Sequence, residues 1–143
     1  MDIPFLRPTW ADINLGAYGR NLQKIRAKVG PDVNILAVLK ANAYGHGAER
    51  LGLYAQEHKL CQFFGAASVE EGILLRRAGI TLPILVLGSI YPFEAFEYAI
   101  KYDLSVAVAS LEAAKAIKQI ARKLGKKARC HVKQDSGMGR IGT

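Results

Sequence analysis

The chain has 143 residues, half of them hydrophobic and 22% charged, a usage that fits one ordinary globular domain and excludes a fibrous or extensively disordered protein. Twenty Lys and Arg against twelve Asp and Glu give a net charge of +8, which admits anionic partners without choosing among them. The amino terminus, with Asp2, Pro4 and Pro8, is unlike a signal peptide, and no stretch approaches the ~20 apolar residues of a membrane span. Cys61 and Cys130 lack a CxxC spacing and read as buried free thiols in a reducing cytoplasm.

Leu15, Tyr18, Leu22, Ile25 and Val29 recur at helical spacing and predict a helix over residues 14–29, ended by the turn Gly30-Pro31-Asp32. Residues 34–39 form a continuous apolar run, as in a strand covered on both faces. A helix over 47–59 carries Leu51, Tyr54 and Ala55 on one side, and a strand over 63–67 follows. Ser68 with Glu71 three residues on makes a capping box, opening a helix that Gly79 closes. A strand over 84–87, a helix over 93–102 and a strand over 104–109 continue the series. Ser110 caps a helix ending at Gly125, with Leu111, Ala114, Ile117, Ala121 and Leu124 as its buried stripe, and 128–134 is the last strand.

Strand centres near Leu36, Phe64, Leu85, Val106 and His131 lie 28, 21, 21 and 25 residues apart, the spacing of βα units in a parallel sheet. Two α/β architectures accept such a series: an open doubly wound sheet and a (β/α)8 barrel. A barrel needs ~250 residues, so this length matches about half of one and leaves hydrophobic sheet edges at both ends. The expectation is a fragment of a larger protein, or a chain completed by association.

Lys40 is the most informative residue. It ends the apolar run of the first strand, at the carboxyl end where α/β folds place their sites. Desolvation there would move its amine toward the neutral form that condensation with an aldehyde requires; the plainer reading is a rim lysine reaching water. Tyr44, Gly45, His46 and Gly47 follow in a tight loop that puts a hydroxyl near the amine. Along the last strand Arg129, His131, Lys133 and Asp135 alternate onto one face, with surface placement favoured for Arg129 and His131.

Ala-Val-Leu-Lys-Ala-Asn-Ala-Tyr-Gly-His-Gly at residues 37–47 closely resembles the cofactor-lysine signature of alanine racemases. His-Val-Lys-Gln-Asp-Ser-Gly-Met-Gly-Arg-Ile-Gly at 131–142 resembles their second hallmark, and Arg-Pro-Thr-Trp-Ala-Asp-Ile at 7–13 resembles their opening strand. The resemblance implies a fold-type III enzyme using pyridoxal 5'-phosphate: an α/β (β/α)8 TIM barrel, of which residues 1–143 are the amino-terminal part, plus a carboxyl-terminal β domain not contained in them. It implies that Lys40 joins the cofactor aldehyde and moves the α-proton of an amino-acid substrate. Tyr44 matches the donor to the cofactor phosphate. Arg140 matches the arginine near the phenolic oxygen and the substrate carboxylate. Lys133 matches a lysine that is often carbamylated and orients that arginine, and Leu87 packs by the cofactor. A carbamate on Lys133 would reverse its sign and turn repulsion from Arg140 into attraction; the sequence leaves modified and free lysine open.

Other signals point less far. Gly137-Met-Gly139-Arg-Ile-Gly142 satisfies G-x-G-x-x-G but lacks the following helix and acid of a dinucleotide site. The cations Lys115, Lys118, Arg122, Lys123, Lys126 and Lys127 read as a solvated helix face rather than a nucleic-acid surface. His46, His58 and His131 lack metal-ligand spacing, so no metal is expected; His46 shapes its turn. Trp10 and the tyrosines read as core or interface.

The resulting expectation is a cytoplasmic, homodimeric alanine racemase interconverting L- and D-alanine for peptidoglycan, with no membrane or nucleic-acid partner. A two-base mechanism needs a second acid/base on the opposite face, in the family a tyrosine from the partner's carboxyl-terminal domain, so these residues alone are expected to be inactive or nearly so. The alternatives are a broad-specificity amino-acid racemase, a pyridoxal-phosphate carrier, disfavoured because carriers have a Ser-Lys-Thr loop, and a non-catalytic half-barrel stable only as an assembly.

Overall fold

A computed structural model describes residues 9–143. Arg7 and Pro8 of the expected opening strand lie outside them, and residues 9–14 form no strand. The elements alternate in the expected order: α1 (Leu15–Val29), β1 (Leu36–Val38), α2 (Lys40–Tyr44), α3 (Ala48–Glu57), β2 (Phe63–Ala66), α4 (Val69–Arg77), β3 (Ile84–Val86), α5 (Ala95–Lys101), β4 (Ser105–Val108), α6 (Leu111–Lys123) and β5 (Arg129–Val132). Side-chain oxygens open three helices as their sequences require. Asn14, Ser68 and Ser110 accept from the amides of Ala17, Glu71 and Ala113.

Five parallel strands pair in the order β1-β2-β3-β4-β5, and this order separates the two architectures. A doubly wound sheet reverses direction partway across. Here every crossover steps the same way, which stacks all the right-handed crossover helices on one face. The result is a partial (β/α)8 barrel wall.

Burial follows from that arrangement. Ala37, Phe64, Ala66, Ile84, Val86, Val106 and Val108 are buried against the helices. The alternate set, Leu36, Phe63, Leu85 and Ala107, is half-buried on the open face, and Val38 there is exposed. The register pairs Leu36 with Phe63 and Val38 with Gly65. A Cβ on Gly65 would come within 2.9 Å of Leu36 Cδ2 and 3.0 Å of Leu87 Cδ1, so glycine there lets those leucines close over the open face.

Some burial expectations fail for the same geometric reason. Residues of β5 are exposed on both faces, so Cys130 is an exposed thiol while Cys61 is buried. Leu111, the first residue of α6, is 63% exposed, so the stripe rests on buried Ile117 and Ala121 with Ala114 and Leu124 partly buried against the core. Trp10 is 74% exposed and its Nε1 donates to Asp12 Oδ2, so it is not a core residue. Tyr18, by contrast, packs against the core. Burial, followed by the nearby Cys61, pushes its phenol up to about 12, and burial pushes the Cys61 thiol up to about 11.

Candidate active site

The amide of Leu39 still donates to Gly65 O at 2.8 Å, extending the β1–β2 ladder by one residue. Lys40 directly follows β1, but Leu39, at φ −108° and ψ 5°, has already left the extended conformation, so the alternation of Leu36 and Val38 stops there. The residue as a whole is half-buried.

The chain then turns left-handed. Ala41, Asn42 and Ala43 have φ of 53, 53 and 51° with ψ between 41 and 51°, and Tyr44 has φ 52°. Such a run is unfavourable for L-residues, so it must be held from outside. Ala43 N donates to Leu39 O. Asn42 O accepts from Gly45 N and Gly47 N, while its Oδ1 caps α3 through Ala48 N at 2.9 Å. His46 Nδ1 sits 2.9 Å from Ala43 O, the turn-shaping role expected of it. Glu71 Oε1 accepts from Ala41 N at 3.0 Å and Oε2 from Ala67 N at 2.8 Å. The capping-box glutamate thus reaches past its own helix to the lysine-bearing turn, a contact no local pattern announces.

Tyr44 closes the turn four residues after Lys40. Tyr44 is 71% exposed and borders a cavity of about 460 Å³ lined also by Tyr18, Val38, Leu39, Ala43 and His46.

The second cluster forms beyond β5. Lys133 N donates to Val108 O at 2.9 Å, and Asp135 N and Thr143 N donate to Thr143 O and Lys133 O, closing residues 133–143 into a loop. Asp135 organises its interior: Oδ1 accepts from Gly137 N at 2.8 Å and Oδ2 from Arg140 N at 2.9 Å. The amides of Gly137, Gly139 and Arg140 hold this carboxyl below its ordinary range. Arg140 is exposed and Lys133 half-buried.

Lys40 and Tyr44 follow β1, Leu87 follows β3, and Lys133 and Arg140 follow β5, so all five share the carboxyl rim of the sheet. Leu87 is half-buried, its amide bonded to Ala66 O at 2.9 Å. Lys40 and Tyr44 follow one outer strand and Lys133 and Arg140 the other, so the two groups lie four strand spacings or roughly 19 Å apart along the sheet. The ion pairs among the described residues, Lys101–Glu97 and Arg129–Asp103, engage neither group. Arg129 is thereby accounted for at the amino end of β5. No cluster of potential metal ligands occurs among the described residues, and no helix there is long and apolar enough to cross a membrane.

Residues 13–143 match the family described as alanine racemase, N-terminal domain. An alanine racemase of Symbiobacterium thermophilum is 44% identical over 142 residues, covering 99% of this chain and 37% of that protein. The solved alanine racemase of Clostridium difficile 630 superposes with a TM-score of 0.91 at 47% identity, over 97% of this chain and 36% of that one. A histidine racemase of Leuconostoc mesenteroides superposes at 0.81 with 30% identity, over 90% of this chain and 34% of its own. The chain therefore spans little more than a third of the length of these relatives.

Proposed function

The chain belongs to the alanine racemase family, over the family's amino-terminal domain, and on that footing we propose that it supplies the pyridoxal-phosphate-binding rim of an enzyme that interconverts L- and D-alanine. The observation that carries this reading is the position of Lys40. It follows a core strand at the carboxyl rim of the sheet, and the left-handed turn that carries Tyr44 is held in place directly after it.

The donor set fits the cofactor. An amine meets its aldehyde, the Tyr44 hydroxyl suits its phosphate, and the Arg140 guanidinium suits a phenolic oxygen or a substrate carboxylate. When bound, the group supplies a sink for the charge left on the substrate α-carbon. The chain's own residues do the rest. Lys40 Nζ takes and returns the α-proton on one face, which requires its neutral form. Leu87 offers apolar packing on the rim. Lys133, free or as a carbamate, sets the orientation of Arg140, with the carbamate attracting it. The second acid/base is assigned to a partner subunit of a homodimer, outside residues 1–143, so these residues alone are not expected to racemise at an intact enzyme's rate. The setting proposed is cytoplasmic supply of D-alanine for peptidoglycan.

The likeness to a histidine racemase supports a second reading, a racemase of wider substrate range. Borohydride reduction after incubation with pyridoxal phosphate, followed by peptide mass analysis, tests the common core of both. A pyridoxyl adduct on Lys40, absent in Lys40→Ala, is the expected result. A colourless oligomer with no adduct would leave only a structural half-barrel. Racemisation of alanine against histidine by the protein carrying this chain separates the two substrate readings.

A further inference from the structure

Glu71 joins the lysine-bearing turn to the neighbouring βα unit by accepting two hydrogen bonds on a single carboxylate. Its partners are the first amide of the left-handed turn and the amide at the end of β2, at 3.0 and 2.8 Å. Where handedness reverses, the amide of Ala41 has no carbonyl four residues back in helical register, and an unmet donor there would favour a different path for the chain. Glu71 is itself fixed, half-buried in the first turn of α4 with its own amide on Ser68 Oγ at 3.4 Å. The carboxylate therefore holds residue 41 against the rigid end of β2, and the direction of the residue 40 side chain is set one peptide away.

We propose that Glu71 is a positioning residue for Lys40: it touches no cofactor or substrate, and acts by clamping the turn that directly follows the lysine against the end of β2. This rests on the cofactor-anchoring reading of Lys40. Asn42 complements the clamp from the other side by tying the same turn to α3 through Ala48 N. Glu71 thus links β1 to β2, and Asn42 links the turn to its own helix.

Two readouts test the role. In Glu71→Ala, amide hydrogen exchange at Ala41 is expected to quicken about 10-fold, the loss of one charge-assisted hydrogen bond, while Val86 and Val106 in the sheet keep their protection. The rate of borohydride-trapped pyridoxyl formation on Lys40, at saturating pyridoxal phosphate, is expected to fall about 10-fold. Glu71→Gln keeps one carbonyl acceptor and is expected to recover part of both effects, a rescue that a general loss of stability would not track. Unchanged exchange at Ala41, or an unchanged trapping rate, in Glu71→Ala overturns the role. If that variant loses protection throughout the sheet, the glutamine variant decides by the same two readouts. An unaltered chain that forms no adduct on Lys40 sinks the proposed function as well, whereas a normal adduct whose rate ignores Glu71 sinks the clamp alone.

Discussion

A single carboxylate can define a loop when its acceptors meet several amides at once. Asp135 does this for the segment that carries Arg140, taking the amides of Gly137 and Arg140 on its two oxygens. Its carboxyl is held below the ordinary value by those amides, so the sign of the pH effect is fixed. The contribution is fully present above the unfolded value of ~3.9 and is lost as pH falls through the lower folded value. The Gly137 and Arg140 amide signals in an NMR titration should stay constant from neutral pH to about 4 and move below it. Asp135→Asn should remove that transition and displace both signals already at neutral pH. The loop also depends on Gly142, which has φ 151° and whose added Cβ would overlap Asp135 N. Gly142→Ala should therefore open the Lys133–Thr143 closure while leaving the sheet folded, seen as faster exchange at Asp135 and Thr143 but not in the strands.

At the scale of elements, the left-handed turn makes a prediction whose sign is opposite to the usual one. Ala-to-Gly in an exposed right-handed helix costs ~1 kcal/mol, but a non-glycine residue in left-handed geometry already carries roughly 1–2 kcal/mol that glycine does not. Ala41, exposed with φ 53°, should tolerate Ala41→Gly with a gain of up to about 1 kcal/mol. Ala116→Gly, in right-handed α6, should lose about that much. Thermal unfolding of the two variants reads the contrast, and equal losses would mean the turn is not left-handed in solution. This turn was also the part least legible in the sequence. Ala-Asn-Ala carries no mark of left-handedness, and only Gly45 and Gly47 hint at unusual backbone. The conformation is braced in part by Glu71, about thirty residues on, through a contact that local periodicity cannot encode. Strands and helices governed by local pattern and capping, such as α4 behind Ser68 or α6 behind Ser110, appear within a few residues of where the sequence puts them. Lys40, Tyr44 and Arg140 were legible because their motifs are contiguous, whereas the spacing between their two clusters needed the strand order.

Across the whole molecule, the two rims of the sheet divide their work. At the amino ends of the strands, long polar side chains tie α1, α3 and α4 to the loops ahead of strands. Arg26 donates to the carbonyls of Gly30 and Val33 and to Gln62 Oε1, which also accepts from Ile35 N. Gln56 Oε1 accepts from the amides of Thr81 and Leu82 ahead of β3. Arg76 reaches furthest, with Nη1 on Ile80 O and Leu82 O at 2.9 and 2.7 Å, Nε on Tyr102 O at 3.1 Å and Nη2 on Asp103 O at 3.0 Å. It joins α4 to the entrances of both β3 and β4, and its burial, the main cause, lowers its guanidinium pKa. The carboxyl rim carries instead the strained turn and the exposed loop of Arg140, in keeping with barrels whose stability face and reactive face lie at opposite ends of the strands. Arg76→Ala leaves four carbonyls without that donor. It should cost about 3 kcal/mol, since bonds to a charged donor contribute ~1.5–3 kcal/mol each but do not add fully at a partly exposed site. That loss corresponds to a fall of roughly 10 °C in Tm for a domain of this size, with Arg76→Lys recovering only the part that a single ammonium can reach. Well below the melting transition, adduct formation on Lys40 should be unchanged in both variants, because Arg76 sits at the far end of the strands. A Tm that barely moves, or a trapping rate that falls with the stability, would show that the two rims are not separate in function.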